Sequence, residues 1–224
     1  MLFDYPRELR TNQALVVGMH AFFVKLGIAS PIFIGASDGG MVAQIYTQKY
    51  PNEVGGLVLV STGGMNAATL KTLKKKYFFV PLALWYMAHC TYGEGYVMLY
   101  SEKMPIFTAK RPAQTVTVDG AAYARDMFET IFKDFQQAKD MHITGLLEDL
   151  MNQTPVTEAD FRALKGRILL IFPNQDFFSD QMQQDLIKLM QDPQIVYVSG
   201  GHLGTVLKAG DYVREIKKFL EGME

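Results

Sequence analysis

The chain has 224 residues, of which 49% are hydrophobic and 20% charged, the balance of one large globular domain with its own core and not of a disordered or fibrous polymer. Its 22 Lys and Arg stand against 23 Asp and Glu, a formal charge of -1, so no basic field exists to gather nucleic acid or anionic lipid. One cysteine, Cys90, excludes an internal disulfide and suits a reducing, cytoplasmic compartment.

The first ten residues, "MLFDYPRELR", lack the basic start, apolar run and small-residue cleavage site of a secretory signal. From Thr11 to Leu26 the apolar residues Leu15, Val16, Met19, Phe22, Phe23 and Leu26 recur at helical spacing, with Thr11 as N-cap and Gly27 as the stop. "PIFIG" (31–35) reads as a short strand buried on both faces. "GMVAQIYTQKY" (40–50) reads as a helix that ends before Pro51, because proline disfavours helical geometry in the residue preceding it. "GGLVLVS" (55–61) is a second apolar strand.

From about residue 65 to 164 the periodicity is helical and no strand–helix–strand unit stands out. The most apolar stretch, "YFFVPLALWYMAHC" (77–90), is interrupted by Pro81 and shorter than the roughly 18 apolar residues a membrane span needs. It reads as a pocket wall. Ala124, Met127, Phe128, Ile131, Phe132, Phe135 and Ala138 form one helical apolar face. Thr157 and Asp160 form a capping-box pattern that opens a last short helix, and Gly166 ends it. "RILLIF" (167–172) then returns as a strand, "SDQMQQDLIKLMQD" as a helix, "QIVYVS" (194–199) as a strand and "DYVREIKKFL" as a closing helix.

Apolar strands alternating with helices predict an α/β fold, a mostly parallel sheet flanked by helices. The expected organisation is a core from 1–64 and 165–224, with 65–164 as a helical cap insertion.

"FIGASDGGMV" (33–42) places Ser37 at a sharp strand-to-helix turn. A serine hydroxyl is a poor nucleophile unless a base stands within hydrogen-bond reach and the backbone presents it clear of its neighbours. Such a turn does the second. It needs small residues two before and two after the serine, Gly35 and Gly39, with Gly40 behind them. The following helix aims its N-terminus at the site, so the Asp38 backbone N–H can stabilise an oxyanion. "PNQD" puts Asp176 after the strand at 167–172, and "GGH" puts His202 after the strand at 194–199. Catalytic groups of parallel sheets gather at those carboxyl ends. Asp180 competes with Asp176 but stands where a helix N-cap is expected.

The segments "GASDGG", "FPNQD" and "SGGH", in that order, resemble the α/β-hydrolase superfamily, with the insertion in the place of its cap, and the resemblance covers nearly the whole chain. It implies Ser37 as nucleophile, His202 as general base and then acid, and Asp176 as the carboxylate orienting the imidazole. A serine at the turn argues against the epoxide-hydrolase and haloalkane-dehalogenase branches, which carry aspartate there. The implied activity is hydrolysis of a small or medium apolar carboxylic ester, with no metal and no organic cofactor. Amide or C–C bond hydrolysis on the same residues is the alternative enzyme, and a non-catalytic relative binding a small molecule or partner is the alternative outside catalysis. "LFDYP" resembles the end of the family's fourth strand. The N-terminal strands and the His-Gly loop that donates a second oxyanion N–H are therefore expected to be missing, leaving "PIFIG" as an edge that favours a homo-oligomer.

His20, His89 and His142 have no partner pattern and are read as surface or packing residues. Cys90 beside His89 is read as buried, not catalytic. Lys71, Lys74, Lys75 and Lys76 are read as a solvated helix face. Met65, Met87, Met98, Met104 and Met127 suit an adaptable apolar pocket.

Overall fold

A computed structural model describes residues 11–76, 130, 143–176, 178–202 and 204–223. The readings of "LFDYP", of "YFFVPLALWYMAHC", of the helical face at 124–138, and of His89, Cys90, Met98, Met104 and His142 lie outside the described residues.

Helix α1 spans Asn12–Leu26. Thr11 caps it by accepting the Ala14 N–H at 3.0 Å, and Gly27 ends it in the left-handed conformation at φ 67°. Strand β1 (Ile32–Ala36) leads through Ser37 into α2 (Asp38–Lys49), then β2 (Gly56–Val60) and α3 (Ala67–Lys76). After the undescribed segment come α4 (Ile143–Met151) and a 3-10 helix (Glu158–Leu164). Strand β3 (Ile168–Gln175), α5 (Asp180–Leu189), β4 (Gln194–Gly201), the single turn α6 (Gly204–Leu207) and α7 (Ala209–Glu221) complete the order.

The strands form one parallel four-stranded sheet in the order β1-β2-β3-β4, each joined to the next through helices, as the alternating pattern predicts. β1 and β2 run in register from Ile32 opposite Gly56 to Ala36 opposite Val60. The expected capping box is present: the Asp160 carboxylate accepts the Thr157 N–H at 2.7 Å. Lys71, Lys74 and Lys75 are exposed on α3 while Leu73 between them is buried, as a solvated face requires.

By internal contacts the chain divides into two compact units. The first holds Met1–Phe78, His142–Leu170 and Phe178–Ile195; the second holds Phe79–Met141, Ile171–Phe177 and Val196–Glu224. In the first unit the core is built from β2, buried along its whole length, the buried face of α2, and Phe161 and Leu164 of the 3-10 helix. Asn12 fixes α1 to α4: its backbone N–H and its side-chain amide both donate to Asp149 Oδ2, at 2.8 and 2.9 Å. In the second unit Phe172 of β3 and Tyr197 of β4 meet at a ring-centroid distance of 5.8 Å.

Three expectations are corrected. β1 is not buried on both faces: Ile32 and Ile34 are 41% and 56% exposed, and among the described residues β1 is an edge strand. α1 forms as predicted, yet of its apolar stripe Val16 is buried while Leu15, Phe22 and Leu26 are exposed. Phe23 instead packs edge-on against Phe33 and Tyr46. An apolar pattern says which side chains gain from cover, but the cover must come from another element. Finally, Ser179 and not Asp180 occupies the N-cap position of α5; Asp180 is the first helical residue, where its charge faces the positive end of the helix.

Among the described residues no helix is long and apolar enough to cross a membrane. His20 is a packing and surface residue as expected, stacked on Tyr50 at 4.0 Å and paired with Glu53 at 2.9 Å.

Candidate active site

The turn between β1 and α2 is sharp and strained. Ser37 adopts φ 51° and ψ -118°, a conformation that side chains beyond glycine rarely enter and that costs on the order of 1–3 kcal/mol. Its N–H donates to the Val60 carbonyl at 2.9 Å, continuing the β1–β2 ladder to the turn itself. Its carbonyl accepts the Gly40 and Met41 N–H groups of the first helical turn, at 3.1 and 3.4 Å. Asp38 is the first residue of α2, so its N–H belongs to the first turn, whose N–H groups have no carbonyl one turn earlier to bond.

Two of the three glycines are required by packing. A Cβ on Gly35 would lie 2.6 Å from the Gly39 carbonyl oxygen and 2.7 Å from Gly40 Cα, so strand and helix approach as closely as backbones can. A Cβ on Gly40 would lie 2.8 Å from Thr62 Cγ2. The expectation for Gly39 is corrected: a Cβ there would meet no described atom within 4 Å, and it is the Gly39 carbonyl that approaches Gly35. The steric requirement falls on Gly35 and Gly40.

Around this turn Ser37, Asp38, Met41, Leu73, Leu150, Met151 and Phe178 line a pocket within the first unit, with an accessible volume of about 20 Å³. That is room for about one water. Asp38 is exposed at its mouth, yet the protein around it removes enough water to raise its carboxyl above the ordinary 3.8. A larger depression, about 430 Å³, lies among Asn66, Thr157, Glu158, Ala159, Asp185, Lys188 and Leu189. It shares no residue with the Ser37 pocket.

In the second unit the structure brings Asp176 and His202 together. His202 Nδ1 and Asp176 Oδ1 are 2.7 Å apart; the Asp176 side chain is fully buried and that of His202 is 14% exposed. A carboxylate can only accept, so Nδ1 is the donor in this contact, and in the neutral ring that leaves the lone pair on Nε2. The turn holding His202 is pinned on both sides. Asn174 Oδ1 accepts the Gly200 N–H at 3.1 Å, and Lys208 Nζ donates to Ser199 Oγ at 2.6 Å. Gly200 has φ 130°, a conformation that favours glycine. Asp180 opens α5 and takes no part in the pair.

Residues that the sequence does not single out support the turn. Thr62, fully buried after β2, donates from Oγ1 to the Ser37 carbonyl at 2.7 Å. Gln44, buried on α2, donates to the Gly40 and Gly63 carbonyls and accepts the Met65 N–H at 2.9 Å. A glutamine among the apolar residues of "GMVAQIY" is the one trace of this in the sequence, since a buried amide must find partners. Thr62 leaves no such trace. Among the described residues no cluster of His, Cys, Asp or Glu could hold a metal ion.

No family model matches the chain, and no curated protein matches it by sequence. Solved structures do match its fold. An esterase from Thermogutta terrifontis aligns at 17% identity and a TM-score of 0.61, over 95% of this chain and 73% of that one. An α/β hydrolase from a Medee basin deep-sea metagenome aligns at 17% identity and 0.63, over 96% and 74%. The enol-lactonase from Burkholderia xenovorans aligns at 15% identity and 0.61, over 94% and 73%.

Proposed function

On the α/β-hydrolase fold that this chain adopts, we propose a serine hydrolase that cleaves small or medium apolar carboxylic esters, with Ser37 as nucleophile and the Asp176–His202 pair as its base. The observation that carries this reading is the 2.7 Å hydrogen bond from His202 Nδ1 to the buried Asp176 carboxylate. It fixes the tautomer in which Nε2 can take a proton, and it compensates the positive charge the ring then acquires.

In the proposed reaction Nε2 removes the Ser37 hydroxyl proton as Oγ attacks the ester carbonyl carbon. The carbonyl oxygen becomes an oxyanion, and the Asp38 N–H is its donor on this chain. Collapse expels the alcohol, which takes the proton from Nε2. Water, deprotonated by the same nitrogen, then hydrolyses the acyl-serine, releasing the acid and restoring the hydroxyl. Asp176 keeps its hydrogen bond to Nδ1 throughout. Met41, Leu73, Leu150, Met151 and Phe178 beside Ser37 favour an apolar group over a charged one. Two structural neighbours bear the names esterase and enol-lactonase, and both fit this bond class.

A fluorophosphonate probe tests the assignment. It should label Ser37 alone, and Ser37→Ala and His202→Ala should each abolish labelling. Labelling that persists in Ser37→Ala, or that maps to Ser61 or Ser199, overturns it. A panel of ester, amide and diketone substrates then separates ester cleavage from amide or C–C hydrolysis.

A further inference from the structure

Thr62 sits at the end of β2 with no exposed surface, and its hydroxyl donates to the Ser37 carbonyl oxygen at 2.7 Å. That carbonyl belongs to the peptide joining Ser37 to Asp38. A peptide is planar and trans, so its C=O and N–H point in opposite directions and turn together. Whatever holds the Ser37 oxygen therefore also aims the Asp38 N–H.

The contact is built at a cost. Ser61, just before Thr62, has φ 46°, and its own buried hydroxyl has no hydrogen-bond partner among the described residues. Strained backbone and an orphaned polar group persist only where the surroundings over-determine them. On the other side, Thr62 occupies the space that a Cβ on Gly40 would need, 2.8 Å from its Cγ2. Gln44 clamps the segment just beyond, through Gly63 and Met65. Thr62 is thus wedged between the end of β2 and the first turn of α2, with its one proton directed at the residue in strained geometry.

We infer that Thr62 is a positioning residue whose hydroxyl holds the Ser37–Asp38 peptide in the orientation that turns the Asp38 N–H toward the reacting carbonyl. The inference rests on Ser37 being the nucleophile. The Gly40 and Met41 N–H groups reach the same oxygen from within α2, at 3.1 and 3.4 Å, and the threonine hydroxyl at 2.7 Å is the donor that reaches it from outside the helix. Ser37 at ψ -118° is far from the helical value, so a relaxed turn would swing the peptide and misdirect the donor.

Thr62→Val removes the hydroxyl and keeps the shape, whereas Thr62→Ser keeps the hydroxyl. Complete loss of one oxyanion donor costs about 10² to 10³ in rate, and a misdirected donor costs part of that. Thr62→Val should therefore lower the fluorophosphonate rate constant and kcat by roughly 10- to 100-fold, with KM little changed, and Thr62→Ser should restore both. A purely structural threonine would shift the melting temperature and leave the rate of the folded fraction alone. Wild-type labelling rates in Thr62→Val overturn the inference. If the wild type itself does not label, the assignment of Ser37 fails separately, and a crystal structure of Thr62→Val still decides the point. There the Ser37–Asp38 peptide should rotate away from ψ -118°; an unchanged peptide overturns the role of Thr62.

Discussion

Asp176 and His202, 26 residues apart, are joined by a 2.7 Å hydrogen bond, and Asn174 and Gly200, also 26 apart, by one of 3.1 Å. The ends of β3 and β4 are thus locked in step. The outer bond sets the backbone of the glycine turn, and the inner one sets the imidazole.

Asp176→Asn tests the inner bond. An amide can present its NH₂ to Nδ1, which moves the ring proton to Nε2 and removes the lone pair the base needs. Turnover and Ser37 labelling should fall on the order of 10³- to 10⁴-fold while the circular dichroism spectrum stays unchanged. A loss below about tenfold would show that the carboxylate does not govern the tautomer.

The strain at Ser37 predicts an inverted stability order. At an ordinary site glycine is less stable than alanine by roughly 0.5–1 kcal/mol, because it loses more backbone freedom on folding. At φ 51° and ψ -118° alanine carries the strain and glycine does not. Urea denaturation should find Ser37→Gly more stable than Ser37→Ala. The usual order would mean that the turn is relaxed in solution.

Alanine at each turn glycine separates steric need from mere occurrence. Gly35→Ala drives a Cβ into backbone at 2.6 Å, and Gly40→Ala into Thr62 at 2.8 Å, so each should lose about 1–3 kcal/mol by overpacking. Gly35→Ala should be the worse, since backbone yields less than a side chain. Gly39→Ala meets no described atom and gains helix propensity of up to about 1 kcal/mol. It should match or exceed the wild type in the same denaturation series.

Asp38 sets a pH dependence of stability. Desolvation raises its folded-state pKa above the ordinary 3.8, so the folded protein resists ionisation more than the unfolded chain. Its contribution is fully retained below the ordinary carboxylate value and is lost as pH rises through the folded one. Asp38→Asn should melt with the wild type at acidic pH and above it once the pH has risen through the carboxylate range, the gap then holding constant. A gap that closes or reverses with rising pH would mean that the positive end of α2 outweighs desolvation.

The sequence by itself determined the order of the described strands and helices, the turn at Ser37 and the candidates Asp176 and His202. These are legible because hydrophobic period, caps and strand-end loops are local properties, written within a few residues of where they act. Thr11, Gly27 and the Thr157–Asp160 box work as their local chemistry dictates. What the tertiary structure alone decided is everything that depends on the gap between elements. Gly40 is needed because of a threonine 22 residues farther on, whereas a Cβ on Gly39 meets no described atom. Ile34 is exposed although its strand is as apolar as β2, because burial is a property of the neighbours and not of the run. Asp38 resists ionisation although it opens a helix, because the protein packed around the turn lessens the hydration of its charged form. Thr62 reads as an ordinary residue after a strand, and only the approach of β2 to the first turn of α2 directs its hydroxyl to the Ser37 carbonyl.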